Sequence, residues 1–394
     1  MKQPTLTSGQ VLFMALCTGL IVANIYYCQP LVVLISHEFG VAESTGGTIT
    51  FFTQLGYALG LLFFVPLGDM VEKRKQIVVT TGMAVLFLAM AAMSTSLLML
   101  SAASLLIGAT SIVPQLILPL AAQWAHPERR GKVIGIVMSG LLIGILLSRT
   151  ISGLIGAWLG WRSMFWIAAL ISLILLLMMQ RLFPRTPSQF KGHYGQLMQS
   201  LITLVRQHPV LREASAINAL TFASFGLFWT TMVLHLSGAP FYLHSGSIGL
   251  FGLAAVAGAL IAPLVGGRAD KGNPRVAIGY GLLAVLLSYV IFYFLGGNVV
   301  GMVIGIILLD LGQQSVHVSN QTRVYALMPE ARNRLNTVYM TLSFVGTAFG
   351  SAIGLWVWSR AGWVGVCITG ALLLGGAFAV YGFTHGRVVK KVAL

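Results

Sequence analysis

Residues 127–182 read PERRGKVIGIVMSGLLIGILLSRTISGLIGAWLGWRSMFWIAALISLILLLMMQRL. Two long apolar runs meet at Gly160-Trp161, and bases bound the pair: Arg129, Arg130 and Lys132 in front, Arg181 behind. A helix rises 1.5 Å per residue, so about 20 apolar residues cross a hydrocarbon core ~30 Å thick. The stretch predicts a helical hairpin that crosses a bilayer twice, with its basic ends on one side.

The same pattern continues in both directions. Hydropathy predicts spans at about 10–35, 46–67, 76–96, 98–122, 132–157, 163–182, 213–240, 246–267, 276–296, 299–325, 335–357 and 363–383. Of 394 residues, 57% are hydrophobic and 8% charged. A soluble domain carries roughly 25% charged residues, so too little polar surface is left to face water all round. The 45 glycines suit membrane helices that pack closely. The first apolar segment has no small-residue cleavage site and is followed by many more spans, so it reads as a membrane helix and not a cleaved signal. Cys17 and Cys28 would stand ~16 Å apart along one helix, too far for a disulfide, and with Cys367 they read as small apolar residues.

A net charge of +15 suggests nucleic acid until the bases are placed. Lys73, Arg74 and Lys75; Arg129, Arg130 and Lys132; the bases from Arg181 to Arg212; Arg268, Lys271 and Arg275; Arg323, Arg332 and Arg334; and Arg387, Lys390 and Lys391 all fall on one side. Only Arg162 and Arg360 fall in gaps on the other, and Arg149 lies inside a span. This is the positive-inside bias: both termini are expected in the cytoplasm, the partner is a lipid bilayer, and no nucleic-acid partner is expected.

The longest gap divides the chain into 1–182, a linker at 183–212, and 213–394. Leu197, Leu201, Leu204 and Val205 give the linker an apolar helical face that would lie on the inner membrane surface. The two halves match at an offset of 202 residues: Pro127-Glu128-Arg129-Arg130-Gly131-Lys132 with Pro329-Glu330-Ala331-Arg332-Asn333-Arg334, Met138 with Met340, Gly144 with Gly346, and Gly160-Trp161 with Gly362-Trp363. Pro66…Asp69 and Pro263…Asp270 correspond within a few residues of that offset. A shift of six spans preserves orientation, so the halves are parallel repeats, a construction that places a transport site between them near the midplane.

With these motifs the chain resembles a member of the major facilitator superfamily over nearly its whole length, most of all the twelve-helix drug–proton antiporter branch. The signature loop after span 2 reads Pro66-Leu67-Gly68-Asp69-Met70-Val71-Glu72-Lys73-Arg74-Lys75, and its second copy Gly266-Gly267-Arg268-Ala269-Asp270-Lys271-Gly272. The resemblance implies an all-α membrane protein, twelve transmembrane helices in two parallel six-helix repeats, working as a monomer in a bacterial inner membrane. It implies a cytoplasmic latch built on Gly68, Asp69, Arg74, Arg268 and Asp270, where a carboxylate can accept bonds at a helix N-terminus. It also places helices 1, 4, 7 and 10 around the cavity. Three departures weaken the antiporter likeness: Glu72 replaces a usual Gly, Ser104 stands where Arg is common, and Arg149 stands where the helix 5 motif has Pro.

Of nine acidic residues, only Asp310 lies well inside a span. A charge at the bilayer centre costs on the order of 2.5–3.5 kcal/mol even on a lenient scale, so it needs a partner, a water path or a proton. Arg149 is the only deeply placed base, at a similar depth, and the two are expected to approach each other in one state of the cycle. Asp310, Gln314, His317 and Gln321 recur at i, i+4, i+7 and i+11 on one helical face, flanked by Gln313 and Asn320. Such a stripe faces the protein interior or water, and His317 can titrate near neutral pH. Asp310, Arg149 and His317 are the candidate proton-coupling or gating residues. The cavity candidates are Asn24, Tyr27, Gln115, Asn218, Phe222, Phe225, Trp229, Gln314 and Gln321, an amide-rich and aromatic wall suited to an organic molecule with an apolar body. Small residues at Gly140, Gly144, Ser148, Ser152 and Gly156, and at Gly346, Gly350 and Gly354, read either as surfaces on which the halves rock or as static packing.

No phosphate-binding loop, His-Glu-x-x-His or paired-cysteine pattern occurs, so no metal, cofactor or enzymatic activity is expected and a proton gradient is the expected energy source. The favoured expectation is proton-coupled efflux of a small organic molecule. Uptake of a sugar, amino acid or other metabolite by symport or facilitated diffusion is the alternative, with a membrane receptor or membrane-embedded enzyme as remote ones.

Overall fold

The computed structural model describes residues 6–126, 129–185, 192–255, 274–328 and 331–392. The described residues are almost wholly helical, without strands. In chain order they form helix 1 (Ser8–Phe39), helix 2 (Glu43–Asp69), helix 3 (Lys73–Ala92), helix 4 (Leu97–Trp124), helix 5 (Arg130–Leu159) and helix 6 (Trp161–Leu182). A linker helix (Tyr194–Gln207) leads to helix 7 (Pro209–Ser237), the described part of helix 8 (Ser245–Ala255), helix 9 (Pro274–Leu295) and helix 10 (Val299–Tyr325). The run Arg332–Val392 breaks at Gly362 into helices 11 and 12. Helix by helix, this is the twelve-helix architecture expected from hydropathy. Arg268 and Asp270 of the second latch loop lie outside the described residues.

Breaks fall where the sequence forces them. Helix 1 opens with a capping box between Thr7 and Gln10, then loosens into 3-10 turns at Ala23–Ile25 and Gln29–Leu31. Pro30 has no N–H to continue the ladder. Irregular backbone at membrane depth persists only with substitute partners, and the Ser152 hydroxyl donates to the Tyr27 carbonyl at 2.5 Å. Helix 4 is interrupted between Thr110 and Val113, just before Pro114. Gly160 (φ 80°) and Gly362 (φ 58°), matched by the sequence repeat, separate helices 5 and 6 and helices 11 and 12. Both sit in the left-handed region that glycine enters without a Cβ penalty.

The chain forms two compact units: Met1–Val41, Phe52–Met198 and His244–Gly252 make the first, and Ala42–Phe51, Gln199–Leu243 and Leu253–Leu394 the second. Short pieces at the starts of helices 2 and 8 thus group with the opposite unit, and the linker helix divides between Met198 and Gln199. In the first unit, helix 1 has 83% of its apolar window buried; in the second, helix 7 has 78%. Each therefore serves as its unit's central post. Elsewhere large apolar side chains such as Leu98, Leu372 and Phe383 stand exposed, as lipid-facing residues must.

The small-residue stripes bring helix pairs into contact inside each unit. A Cβ on Gly140 or Gly144 would overlap the backbone of Ala15 or Gly19 in helix 1. One on Gly346 or Gly350 would overlap Ala219 or Ala223 in helix 7. These glycines pack helix against helix within a unit, as the static-packing reading of the stripes expects.

Candidate functional site

In the first unit, polar groups gather where helix 1 unwinds. Arg149, 3% exposed, donates from Nε to Gln29 Oε1 at 2.7 Å, and its guanidinium carbon lies 4.8 Å from the Tyr26 ring centroid. An amide oxygen and an aromatic face thus stabilise a cation removed from water. Asn24 and Tyr27 are buried beside it in sequence, and Asn24 Nδ2 has no hydrogen-bond partner among the described residues. Gln115, just after Pro114, donates to the Tyr57 hydroxyl at 3.4 Å.

In the second unit, helices 7, 10 and 11 converge on His317. Asn218 donates from Nδ2 to Ser343 Oγ at 2.5 Å and sits 3.3 Å from His317 Nδ1. The Tyr339 hydroxyl donates to the His317 carbonyl at 2.8 Å, and its ring stacks on the imidazole at 5.5 Å. An amide N–H facing Nδ1 makes that nitrogen the acceptor, so the proton of a neutral ring sits on Nε2. Phe222 packs 5.3 Å from His317 and 5.9 Å from Phe344. The aromatic series continues to Phe225 and then Trp229, at 6.4 and 6.1 Å.

The sequence candidates do not all stand alike. Asn218, Phe222 and His317 make one cluster. Phe225, Gln314 and Gln321 are half-buried, whereas Trp229 is 1% exposed and packed against Phe228. Gln321 is tied to Tyr325 and Asn336 at 3.1 and 3.3 Å. Asp310 is 2% exposed. One turn further, neither amide atom of buried Gln313 has a hydrogen-bond partner among the described residues. In the first latch loop, a Cβ on Gly68 would press on Gln76, and Lys73 lies within electrostatic range of Asp69.

Sequence reasoning missed two features. Tyr339 and Ser343 complete the His317 cluster, but nothing in a one-dimensional pattern marks them. Glu213, read as a span-end residue, is buried between Arg275 at 3.2 Å and Arg323 at 3.1 Å, joining helices 7, 9 and 10. Its position at the basic end of helix 7 was the available signal. Near the other end, His235 donates from Nε2 to the Gly296 carbonyl at 2.9 Å and stacks on Trp363 at 4.0 Å. Among the described residues, no three or more His, Cys, Asp or Glu side chains form a group able to hold a metal ion.

A family model described as Major Facilitator Superfamily matches residues 12–295. An uncharacterized transporter of Escherichia coli O157:H7, YgaY, is 44% identical over 368 residues, covering 93% of each chain. A protein of Streptomyces coelicolor described as a "Probable transporter" is 33% identical, covering 95% of this chain and 86% of its own length. Among solved structures, a bacterial homologue of the human lysosomal transporter Spinster superposes with a TM-score of 0.72 at 16% identity, covering 95% of this chain and 94% of that one.

Proposed function

Because the chain belongs to the major facilitator superfamily and is a transporter, we propose that it is a proton-coupled exporter of small organic molecules working by alternating access. One observation carries this reading. Asp310 is buried inside a membrane span, one turn from an amide, Gln313, that finds no hydrogen-bond partner among the described residues. A buried amide without a partner costs on the order of 1–3 kcal/mol unless water or a ligand satisfies it. A carboxyl at that depth is stable when protonated or facing a cation.

In this scheme a proton on Asp310 favours one state and its loss favours another in which Arg149 serves as countercharge. The coupling then rests on differential stabilisation of the two states, as any ligand-driven shift must. The substrate contacts would be Asn218, Phe222, Phe225, His317 and Gln314 from the second unit, with Asn24, Tyr27 and Gln115 from the first. Mixed amide and aromatic groups fit a molecule with an apolar body and a few polar substituents. A cytoplasmic position for the basic ends follows from the charge bias.

The test is proton movement in proteoliposomes loaded with a pH-sensitive dye, challenged with lipophilic cations, sugars and amino acids. Substrate-evoked proton counterflow in the wild type that disappears in Asp310→Asn supports the scheme. Equal solute flux without proton movement in both proteins would reduce it to facilitated diffusion, with Asp310 structural.

A further inference from the structure

In the second unit, residues from the end of the linker helix and from helices 7 and 11 line a cavity of about 220 Å³. Val205, Ala216, Ala219, Val338 and Leu342 give it apolar walls. Leu342 remains 38% exposed, so the cavity opens sideways as a groove and is not part of the sealed core.

One base, Arg212, lines this groove, and two more, Arg334 and Arg206, are neighbours in sequence of its lining residues. Arg212 lines it, on the face of helix 7 that also carries Ala216 and Ala219 at i+4 and i+7. Its Nη1 donates to the carbonyls of Val205 and Arg206, at 2.9 and 2.7 Å, which fixes the guanidinium beside the end of the linker helix. On helix 11, Arg334 precedes Val338 by one turn and Leu342 by two, on the same face. Arg206 follows Val205 directly. The helix 7 wall therefore runs from Arg212 past Ser215 into Ala216 and Ala219, and the helix 11 wall, Val338 and Leu342, continues the face that carries Arg334.

That order, positive at the mouth and apolar beyond it, is complementary to an amphiphile with an anionic head. A soluble anion would leave the apolar walls unused, and a neutral amphiphile would leave the guanidiniums without a countercharge. Basic pockets between membrane helices commonly take acidic lipid head groups. We infer that this groove is a binding site for an anionic phospholipid from the bilayer leaflet that the bases face. Its phosphate lies at Arg212 and Arg334, and an acyl chain lies against Ala216, Ala219, Val338 and Leu342.

The test is native mass spectrometry of the full-length protein in mild detergent, titrated with phosphatidylglycerol or with phosphatidylcholine of the same chains. The expected result is a saturable phosphatidylglycerol site that phosphatidylcholine does not fill. Each arginine near the membrane surface contributes roughly fivefold to affinity, so R212Q/R334Q should weaken it about 30-fold. Arg212 also caps the linker helix, so R334Q alone and Ala216→Leu, which fills the groove without touching charge, are run beside it. Both should weaken phosphatidylglycerol binding while Arg360→Gln, far along helix 11, leaves it unchanged. Equal affinity for the two lipids, or wild-type affinity in both R334Q and A216L, would overturn the site.

Discussion

Arg149 Nε donates to Gln29 Oε1 across 2.7 Å, tying the middle of helix 5 to the unwound segment of helix 1. The bond needs both partners to be what they are. Gln29 is 2% exposed and Arg149 3%, so water does not readily replace either.

Gln29→Leu is therefore expected to destabilise the protein by about 2 kcal/mol, the range for a lost hydrogen bond to a charged group. The change is read as a lowered midpoint of thermal unfolding in detergent. Arg149→Lys keeps the charge but has no Nε–H and no planar face for Tyr26. Transport by that variant is expected to fall about tenfold with expression intact. Wild-type transport by Arg149→Lys would show that charge alone suffices at this position.

The spans and their doubling were legible because each rests on a pattern that survives in one dimension: about 20 apolar residues, alternating basic gaps, and matched Gly-Trp pairs. Gly160 and Gly362 show how far this goes, since the repeat pairs them and both adopt positive φ. The helix 10 stripe was legible for the same reason, since its period is a property of the helix. What could not be read was which neighbour each face meets. Spacing alone did not say that the glycines of helix 5 meet Ala15 and Gly19, which lie against Gly140 and Gly144. Tyr339 reaches His317 from 22 positions away, and Ser343 reaches Asn218 from 125 positions away, through the packing of separate helices, which no spacing rule encodes. Glu213 had charge and position in view, but its two arginines come from other helices.

That arrangement at Glu213 sets two guanidiniums on one carboxylate, with the Glu213 side chain 6% exposed. Removing the acid leaves two like charges, Arg275 buried and Arg323 half-buried, without their shared carboxylate. Glu213→Gln should cost about 3–5 kcal/mol, the usual penalty for breaking a buried pair, and should show as lower thermal stability in detergent. Adding Arg323→Gln removes one of the stranded cations. The double variant is expected to be more stable than Glu213→Gln alone, a non-additivity that marks direct coupling. Simple summing of the two losses would mean that Arg323 acts elsewhere, through its bond to Asn320 at 3.2 Å.

His317 separates proton handling from substrate recognition. Its Nδ1 faces the Asn218 amide at 3.3 Å, and the Tyr339 hydroxyl is committed to the His317 carbonyl at 2.8 Å. The neutral ring therefore keeps its proton on Nε2, which leaves one N–H donor for a substrate or water. His317→Gln retains an acceptor and a donor on a side chain that does not titrate. If Asp310 alone carries the proton, the variant should keep proton counterflow and its dependence on external pH, while the substrate KM rises several-fold through the lost ring contact with Phe222. If the proton passes through the imidazole, His317→Gln should instead abolish counterflow as Asp310→Asn does, with little change in KM. Measuring flux and KM on the same proteoliposomes across external pH distinguishes the two, because a mere loss of packing would lower both proteins' expression without splitting kcat from KM.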